Sequence, residues 1–172
     1  MLSLFRRPSP PPQAALYARL VALARQPDWY VAGAVPDTLD GRFDMLALVT
    51  ALVVLRLQAD PDPAARQAEA DLADRFAADI EGNFREMGVG DLSITREVGK
   101  ALGALEGRIS AYRAALAEPD PAALDAALSR NLWRGEPPGA DARAWLAGRV
   151  RALAASLAAT PLGRLRAGNW TP

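Results

Sequence analysis

Apolar residues recur along the chain at the three- and four-residue intervals that place side chains on one face of a helix. In the clearest run, successive apolar positions are 4, 4, 3, 4, 3 and 4 residues apart. The members of this run are Ile94, Val98, Leu102, Leu105, Ile109, Tyr112 and Leu116. The spacing predicts one helix of about seven turns with a single buried face.

The other segments show the same spacing, and proline or glycine residues separate them. Helices are predicted at 13–26, from Asp37 or Thr38 to Leu57, from Asp62 to Met87, from Pro121 to about Trp133 and at 141–157, with a last turn after Pro161. Residues 28–36 are predicted to form a loop. No segment alternates with a period of two, so the predicted fold class is all-α, a single-domain bundle of six or seven helices without a sheet.

Two features organise this predicted bundle. The helix that includes residues 43–57 is apolar on nearly all sides, which is typical of a helix at the centre of a fold. Proline-rich stretches suggest three regions along the chain: a lead-in at 1–12, a helical domain at 13–135, and a helical extension at 136–172 that packs on the same domain.

The composition excludes several classes of function. The chain has no Cys and no His, which removes thiol chemistry, the usual general base and the commonest transition-metal ligand. Its 20 basic and 20 acidic residues give no net charge that favours nucleic acid. An enzyme could still be built from carboxylates, Tyr, Ser or Lys100, but few catalytic groups are available. We expect no catalytic residues, no metal, no cofactor and no nucleic-acid partner, in a protein that binds another protein and is not an enzyme.

The apolar segments are too short to cross a bilayer, and the start of the chain lacks the order of charge and apolar residues found in a secretory signal. We therefore expect a cytoplasmic protein. Leu2, Leu4 and Phe5 lie beside Arg6 and Arg7, a combination that suggests weak peripheral contact of this cytoplasmic protein with an anionic membrane surface.

Charge is distributed unevenly. Residues 60–87 contain eight acidic and three basic residues, and residues 119–172 contain four acidic and seven basic residues. Three interpretations remain open: attraction within the fold, two separate docking faces, or ordinary solvated helix surfaces, of which the last is favoured. Asp71 and Asp74 are one helical turn apart, but without carboxylates from a second helix they do not make a metal site.

Gly99, Gly103 and Gly107 lie one helical turn apart on the long predicted helix. Each glycine inside a helix costs about 1 kcal/mol relative to alanine, so three in a row require a reason. Close packing within the bundle is the favoured interpretation, and a groove for an external helix is the alternative.

The segment from Pro36 to Asp44 is polar and leads directly into the apolar helix. Arg42 is surrounded in sequence by Asp37, Asp40 and Asp44. One arginine can bridge two carboxylates at a helix start, which predicts a structural ion-pair cap. Presentation of these charges to a partner is the alternative.

Three sequence blocks then indicate a known family. Val35-Pro-Asp-Thr-Leu-Asp-Gly-Arg-Phe-Asp-Met-Leu46, Arg85-Glu-Met-Gly-Val-Gly-Asp-Leu92 and the weaker Leu128-Ser-Arg-Asn-Leu-Trp133 resemble motifs of the ubiquinol–cytochrome c chaperone family. The resemblance covers residues 14–135. The motif positions carried over are Asp37, Thr38, Asp40, Gly41, Arg42, Phe43, Asp44, Arg85, Glu86, Met87, Gly88, Gly90 and Asp91, as partner-binding or scaffold residues.

The resemblance implies a non-enzymatic assembly chaperone that binds newly made cytochrome b and promotes assembly of the ubiquinol–cytochrome c reductase (bc1) complex. Within this picture, the apolar face of the long helix and its glycine row form the candidate groove for the client. Two alternatives remain open, a stable structural adaptor of a membrane complex and a small carboxylate-dependent helical enzyme. Only one acidic stretch is present, which disfavours the enzyme.

Overall fold

The computed structural model describes residues 12–171, and these residues form helices joined by short connections. In chain order the helices are α1 (Pro12–Ala24), α2 (Pro27–Val31), α3 (Leu39–Gln58), α4 (Pro63–Glu86), α5 (Asp91–Ala117), α6 (Pro121–Leu132), α7 (Ala140–Ala159) and α8 (Leu162–Arg166). Six of them have at least 12 residues, and α2 and α8 have five each. The all-α prediction is confirmed.

Helix α3 is the centre of the fold, as its apolar sequence predicts. It packs against α1, α4, α5, α6 and α7. Its residues from Ala47 to Val54 are all buried, including the polar Thr50. A helix surrounded by neighbours on every side needs apolar residues around its whole circumference, which explains why its sequence lacks a polar face.

Short capping sequences set the helix boundaries. Thr38 accepts a hydrogen bond from the Gly41 amide at the start of α3. Asp62 and Asp120 do the same for the amides of Ala64 and Ala122, each just before a proline that begins the helix. This Asp–Pro arrangement supplies an acceptor to a free amide and pre-sets the backbone angle of the first helical residue.

Residues 28–36 contain a short helix, so the prediction that the whole segment is loop was wrong. Pro27 begins α2, and Trp29 is buried within it. The Trp29 indole donates a hydrogen bond to the Leu23 carbonyl oxygen at 2.8 Å and its ring meets Trp145 edge-on. Five residues are too few to show a helical period in sequence, and the tertiary contacts of Trp29 hold the turn in place.

The long helix α5 buries its predicted stripe and exposes its glycines. Ile94, Leu105 and Ile109 are almost fully buried. Gly99, Gly103 and Gly107 are exposed, and a Cβ atom added to any of them would meet no atom within 4 Å. The favoured interpretation, close packing within the bundle, was therefore wrong. A periodicity argument alone does not distinguish a row of small residues that touches a neighbour from one that faces solvent.

The last two helices contribute to the same core. Helix α7 packs on α3 and α6 through residues that include Val150 and Leu153, and α8 packs on α1. Leu165 and Trp170 are buried there.

Between residues 12 and 171, no ion pair joins α4 to α7 or α8, so attraction between the acidic and basic regions does not act through direct contacts. No helix in that range is both long and apolar enough to span a bilayer.

Pro12, assigned from the sequence to the proline-rich lead-in, is instead the first residue of α1. The rest of that lead-in, together with the predicted contact of residues 2–7 with a membrane surface, lies outside the described residues.

Candidate functional site

The first two sequence motifs meet at one groove. The C-terminal end of α1, the N-terminal part of α3 and the C-terminal half of α4 enclose a cavity of about 480 Å³. Its lining consists of Val21, Ala24, Arg25, Leu39, Asp40, Arg42, Phe43, Leu46, Asp79, Ile80, Asn83, Phe84, Glu86 and Met87. Residues 39–43 belong to the first motif, and Glu86 and Met87 belong to the second. Two segments more than 40 residues apart in sequence therefore line the same surface.

Large apolar side chains are exposed at this groove. Leu39 is 76% exposed and Met87 is 56% exposed, and both line the cavity. Val31, at 82%, lines a smaller adjoining cavity of about 270 Å³. Exposed apolar residues that cluster at a concave surface are typical of protein-binding sites. Only Leu92 among the exposed large apolar residues of the described chain lines neither cavity.

Gly41 is required where the chain turns into α3. A Cβ atom at this position would lie 1.9 Å from the Pro36 carbonyl oxygen, well inside the contact distance of two atoms. Thr38 caps the same turn. The segment 36–41 is thus held tightly against the start of the helix, and this fixes the direction in which Leu39 and Asp40 project.

A buried carboxylate anchors this end of α3 to two other helices. Asp44 is fully buried and pairs with Arg108 of α5 at 2.5 Å and with Arg134, just after α6, at 3.2 Å. Arg134 also pairs with Asp40 at 3.0 Å, so it joins the groove's rim to the buried carboxylate. Burial raises the pKa of Asp44, and the two guanidinium groups oppose that rise. The network ties α3, α5 and the end of α6 together.

The predicted ion-pair cap on Arg42 is only partly present. Arg42 pairs with Asp37 at 2.7 Å on the exposed surface, and the pKa of Asp37 is lowered by that hydrogen bond. Asp40 and Asp44 pair with arginines that are distant in sequence instead. Three carboxylates around one arginine in sequence do not all reach it, because successive residues of a helix point in different directions.

Phe43 forms part of the groove's floor. Its ring packs against Phe76 of α4, with the ring centres 6.1 Å apart, and the Arg108 guanidinium lies over its other side at 5.7 Å. The residue is half-buried, so it both supports the fold and faces the cavity.

The second motif forms the turn between α4 and α5. Gly88 has φ +79°, the left-handed conformation predicted for the end of a helix. Arg85 pairs with Glu81 at 2.8 Å and with Asp91 at 3.0 Å. Both pairs are exposed to solvent, and Met87 lies at the groove directly before the Gly88 turn. Gly90 precedes α5 and has open space around it. Local crowding therefore does not explain why the motif has glycine at this position.

The third block is scaffold. Leu128, Leu132 and Trp133 are buried in the core. The next residue, Arg134, pairs with Asp40 and Asp44, and neither it nor Arg108 was among the residues predicted from the sequence. One signal pointed to them: Asp44 lies within the first turns of an otherwise apolar buried helix, and a buried carboxylate needs a cationic partner. The sequence did not indicate which arginines would supply it.

Asp79, which lines the groove, is paired with a buried residue beneath it. The Tyr17 hydroxyl donates a hydrogen bond to the Asp79 carboxylate at 2.9 Å. Burial and this contact raise the pKa of Tyr17, which keeps the phenol protonated and makes it a poor nucleophile or base. Over residues 12–171, no group of three or more carboxylates is placed to hold a metal ion.

Comparisons with known proteins agree with this assignment of motifs. The crystal structure of the Cbp3 homolog from Brucella abortus superimposes with a TM-score of 0.81 and 33% sequence identity, over 92% of this chain and 86% of that one. A search of curated proteins gives no match. The model of the ubiquinol–cytochrome c chaperone family matches residues 32–172, so the family likeness extends well beyond residue 135, where the recognisable motifs end. The chain belongs to the ubiquinol–cytochrome c chaperone family.

Proposed function

We propose that this protein is a non-enzymatic assembly chaperone that binds newly made cytochrome b through the groove between α1, α3 and α4, at the cytoplasmic face of the inner membrane. Family membership supports a chaperone role in assembly of ubiquinol–cytochrome c reductase. The observation that carries the choice of surface is the convergence of two family-like motifs on one groove with exposed Leu39 and Met87.

The groove suits a client that exposes apolar side chains. An unassembled membrane protein presents apolar surface that its partners later cover. A cavity of about 480 Å³ holds a few large side chains of such a segment. Leu39 and Met87, from opposite walls, gain burial when a segment lies between them, and burying a large apolar side chain contributes about 1.5–3 kcal/mol.

The rigid surroundings of the groove favour binding over rearrangement. The Asp44 network and the Gly41 turn fix the α3 wall. A preformed surface loses little conformational entropy when a partner binds. The client is then released when the other subunits of its complex compete for the same apolar side chains.

We expect the double variant Leu39→Ser, Met87→Ser to capture about ten-fold less cytochrome b than the unaltered protein, because each change removes an exposed apolar side chain that the client would bury. The measurement is affinity isolation of the tagged protein from cells during respiratory growth, with cytochrome b quantified by immunoblot. Circular dichroism establishes that the variant is folded.

Leu92→Ser is the matched control. Leu92 is fully exposed and lies outside the groove, so its replacement removes similar apolar surface at a different place. Capture that falls equally in Leu92→Ser and in the double variant would contradict the groove assignment. Gly103→Leu, in the same assay, tests the exposed glycine row of α5, whose role as a client surface stays a prediction; loss of capture in that variant alone would move the site there.

A further inference from the structure

The backbone is strained directly after α6. Arg134 has φ +50° and Gly135 has φ +88°, so two consecutive residues adopt the left-handed conformation. Glycine tolerates this conformation, whereas a residue with a Cβ atom does so only with steric strain. The turn is closed by hydrogen bonds from the Gly135 amide to the Ser129 carbonyl oxygen and from the Glu136 amide to the Trp133 carbonyl oxygen. Both bonds use backbone atoms alone, so glycine at position 134 would close the same turn.

The arginine side chain makes two contacts that glycine would lack. Its Nε atom lies 3.2 Å from the buried Asp44 carboxylate, and its Nη1 atom lies 3.0 Å from the Asp40 carboxylate. Asp44 also pairs with Arg108, whereas Asp40 has no second ion pair within the described part of the chain. Asp40 lines the groove next to the exposed Leu39, in the first turn of α3. Arg134 therefore fastens the groove-lining turn to the buried network.

The contact with Asp44 strengthens the contact with Asp40. Arg134 and Asp40 are both more than half exposed, and an ion pair between two exposed, mobile side chains contributes little. Here the same guanidinium also reaches Asp44, which is fully buried. Asp40 thus meets a cation that is already held in place, so less side-chain freedom is lost when the pair forms.

We infer that Arg134 is a positioning residue for the groove, which holds the first turn of α3 so that Leu39 and Asp40 are in place for the client. The strained backbone at position 134 is retained because only a long cationic side chain reaches both carboxylates. Strained residues of this kind cluster at functional sites, where the surrounding contacts maintain them. The inference rests on the proposed function, because it concerns the same surface, and it assigns Arg134 no contact with the client.

Arg134→Gly separates positioning from folding. The variant loses both ion pairs, but its backbone forms the turn without strain, which offsets part of the lost stability. In hydrogen exchange of the purified full-length protein, we expect the amides of residues 41–43 to exchange about ten-fold faster. We expect capture of cytochrome b to fall about five-fold, because a loosened wall must become ordered when the client binds. Capture is measured at a temperature where circular dichroism shows that the variant is folded.

Two further variants identify the cause. Arg134→Lys retains the charge and is expected to keep part of both the protection from exchange and the capture. Arg143→Ala is the matched control, because Arg143 of α7 pairs with Asp125 of α6 at 2.9 Å, in an ion pair outside the groove. We expect residues 41–43 of this control to exchange, and cytochrome b to be captured, as in the unaltered protein.

The outcomes distinguish this inference from the proposed function. Unchanged exchange in Arg134→Gly, equal acceleration in Arg143→Ala, or faster exchange with unchanged capture would each overturn the role of Arg134. The proposed function would stand in all three cases if capture still depends on Leu39 and Met87. Capture that is insensitive to the double variant Leu39→Ser, Met87→Ser would contradict the proposed function and remove this inference with it.

Discussion

Replacing Asp44 by alanine is expected to lower the free energy of unfolding by about 3 kcal/mol or more. Asp44 is fully buried and compensates Arg108, whose side chain is only 15% exposed. Removing one partner of a buried ion pair leaves the other charge poorly solvated, and such changes cost about 3–5 kcal/mol. The loss also leaves Arg134 with only its exposed ion pair to Asp40. Urea unfolding followed by circular dichroism measures the effect.

The matched control is Asp37→Ala. Asp37 forms an ion pair with Arg42 at 2.7 Å, but both partners are more than half exposed. Solvent already stabilises such charges, so we expect only a small change. Similar losses in the free energy of unfolding for the two variants would show that Asp44 does not anchor the fold. The α3 wall would then not be held rigid by this network.

Gly41→Ala is expected to destabilise the protein by about 3 kcal/mol, because the added Cβ would lie 1.9 Å from the Pro36 carbonyl oxygen. The obstacle is backbone rather than a flexible side chain, so the turn at 36–41 must shift. In a domain of this size, 1 kcal/mol shifts the midpoint of thermal unfolding by about 2–4 °C, so the midpoint should fall by about 6–12 °C. We expect client capture to fall as well, since the shift moves Leu39.

Gly90→Ala controls for the loss of a motif glycine. Gly90 has φ −65° and no atom within 4 Å of an added Cβ, so alanine fits without strain. Its unfolding midpoint is expected to stay close to that of the unaltered protein. If Gly41→Ala unfolds at the same temperature as Gly90→Ala, the turn into α3 is not the constrained element described here.

The sequence was sufficient to predict the helical architecture because local signals agreed with one another. The 3.6-residue period identified the long helices, and the Asp–Pro caps before α4 and α6 marked where two of them begin. Where the signal was short, the prediction failed: α2 has five residues, and the burial of Trp29 stabilises it. Periodicity also gave no information on what the glycines of α5 would face.

The candidate site was only partly predictable. Met87 was among the motif residues named as candidates, whereas Leu39 lies within the first block but was not named as one. Whether these residues come together depends on how α1, α3 and α4 pack, and no local sequence pattern determines that packing. Arg108 and Arg134 lie 64 and 90 residues from Asp44, and choosing these two from so many arginines requires the tertiary structure.

The most direct measurement is site-specific photo-crosslinking from position 39. A photoreactive amino acid replaces Leu39 in one strain and Leu92 in another, and the captured material from respiring cells is probed for cytochrome b. We expect the photoreactive residue at position 39 to capture cytochrome b that is poor in haem. We also expect the protein to be absent from the mature bc1 complex. Equal capture of cytochrome b from positions 39 and 92 would contradict the assignment of the groove. Absence of cytochrome b from both captures, together with normal bc1 levels in cells that lack the protein, would contradict the chaperone function.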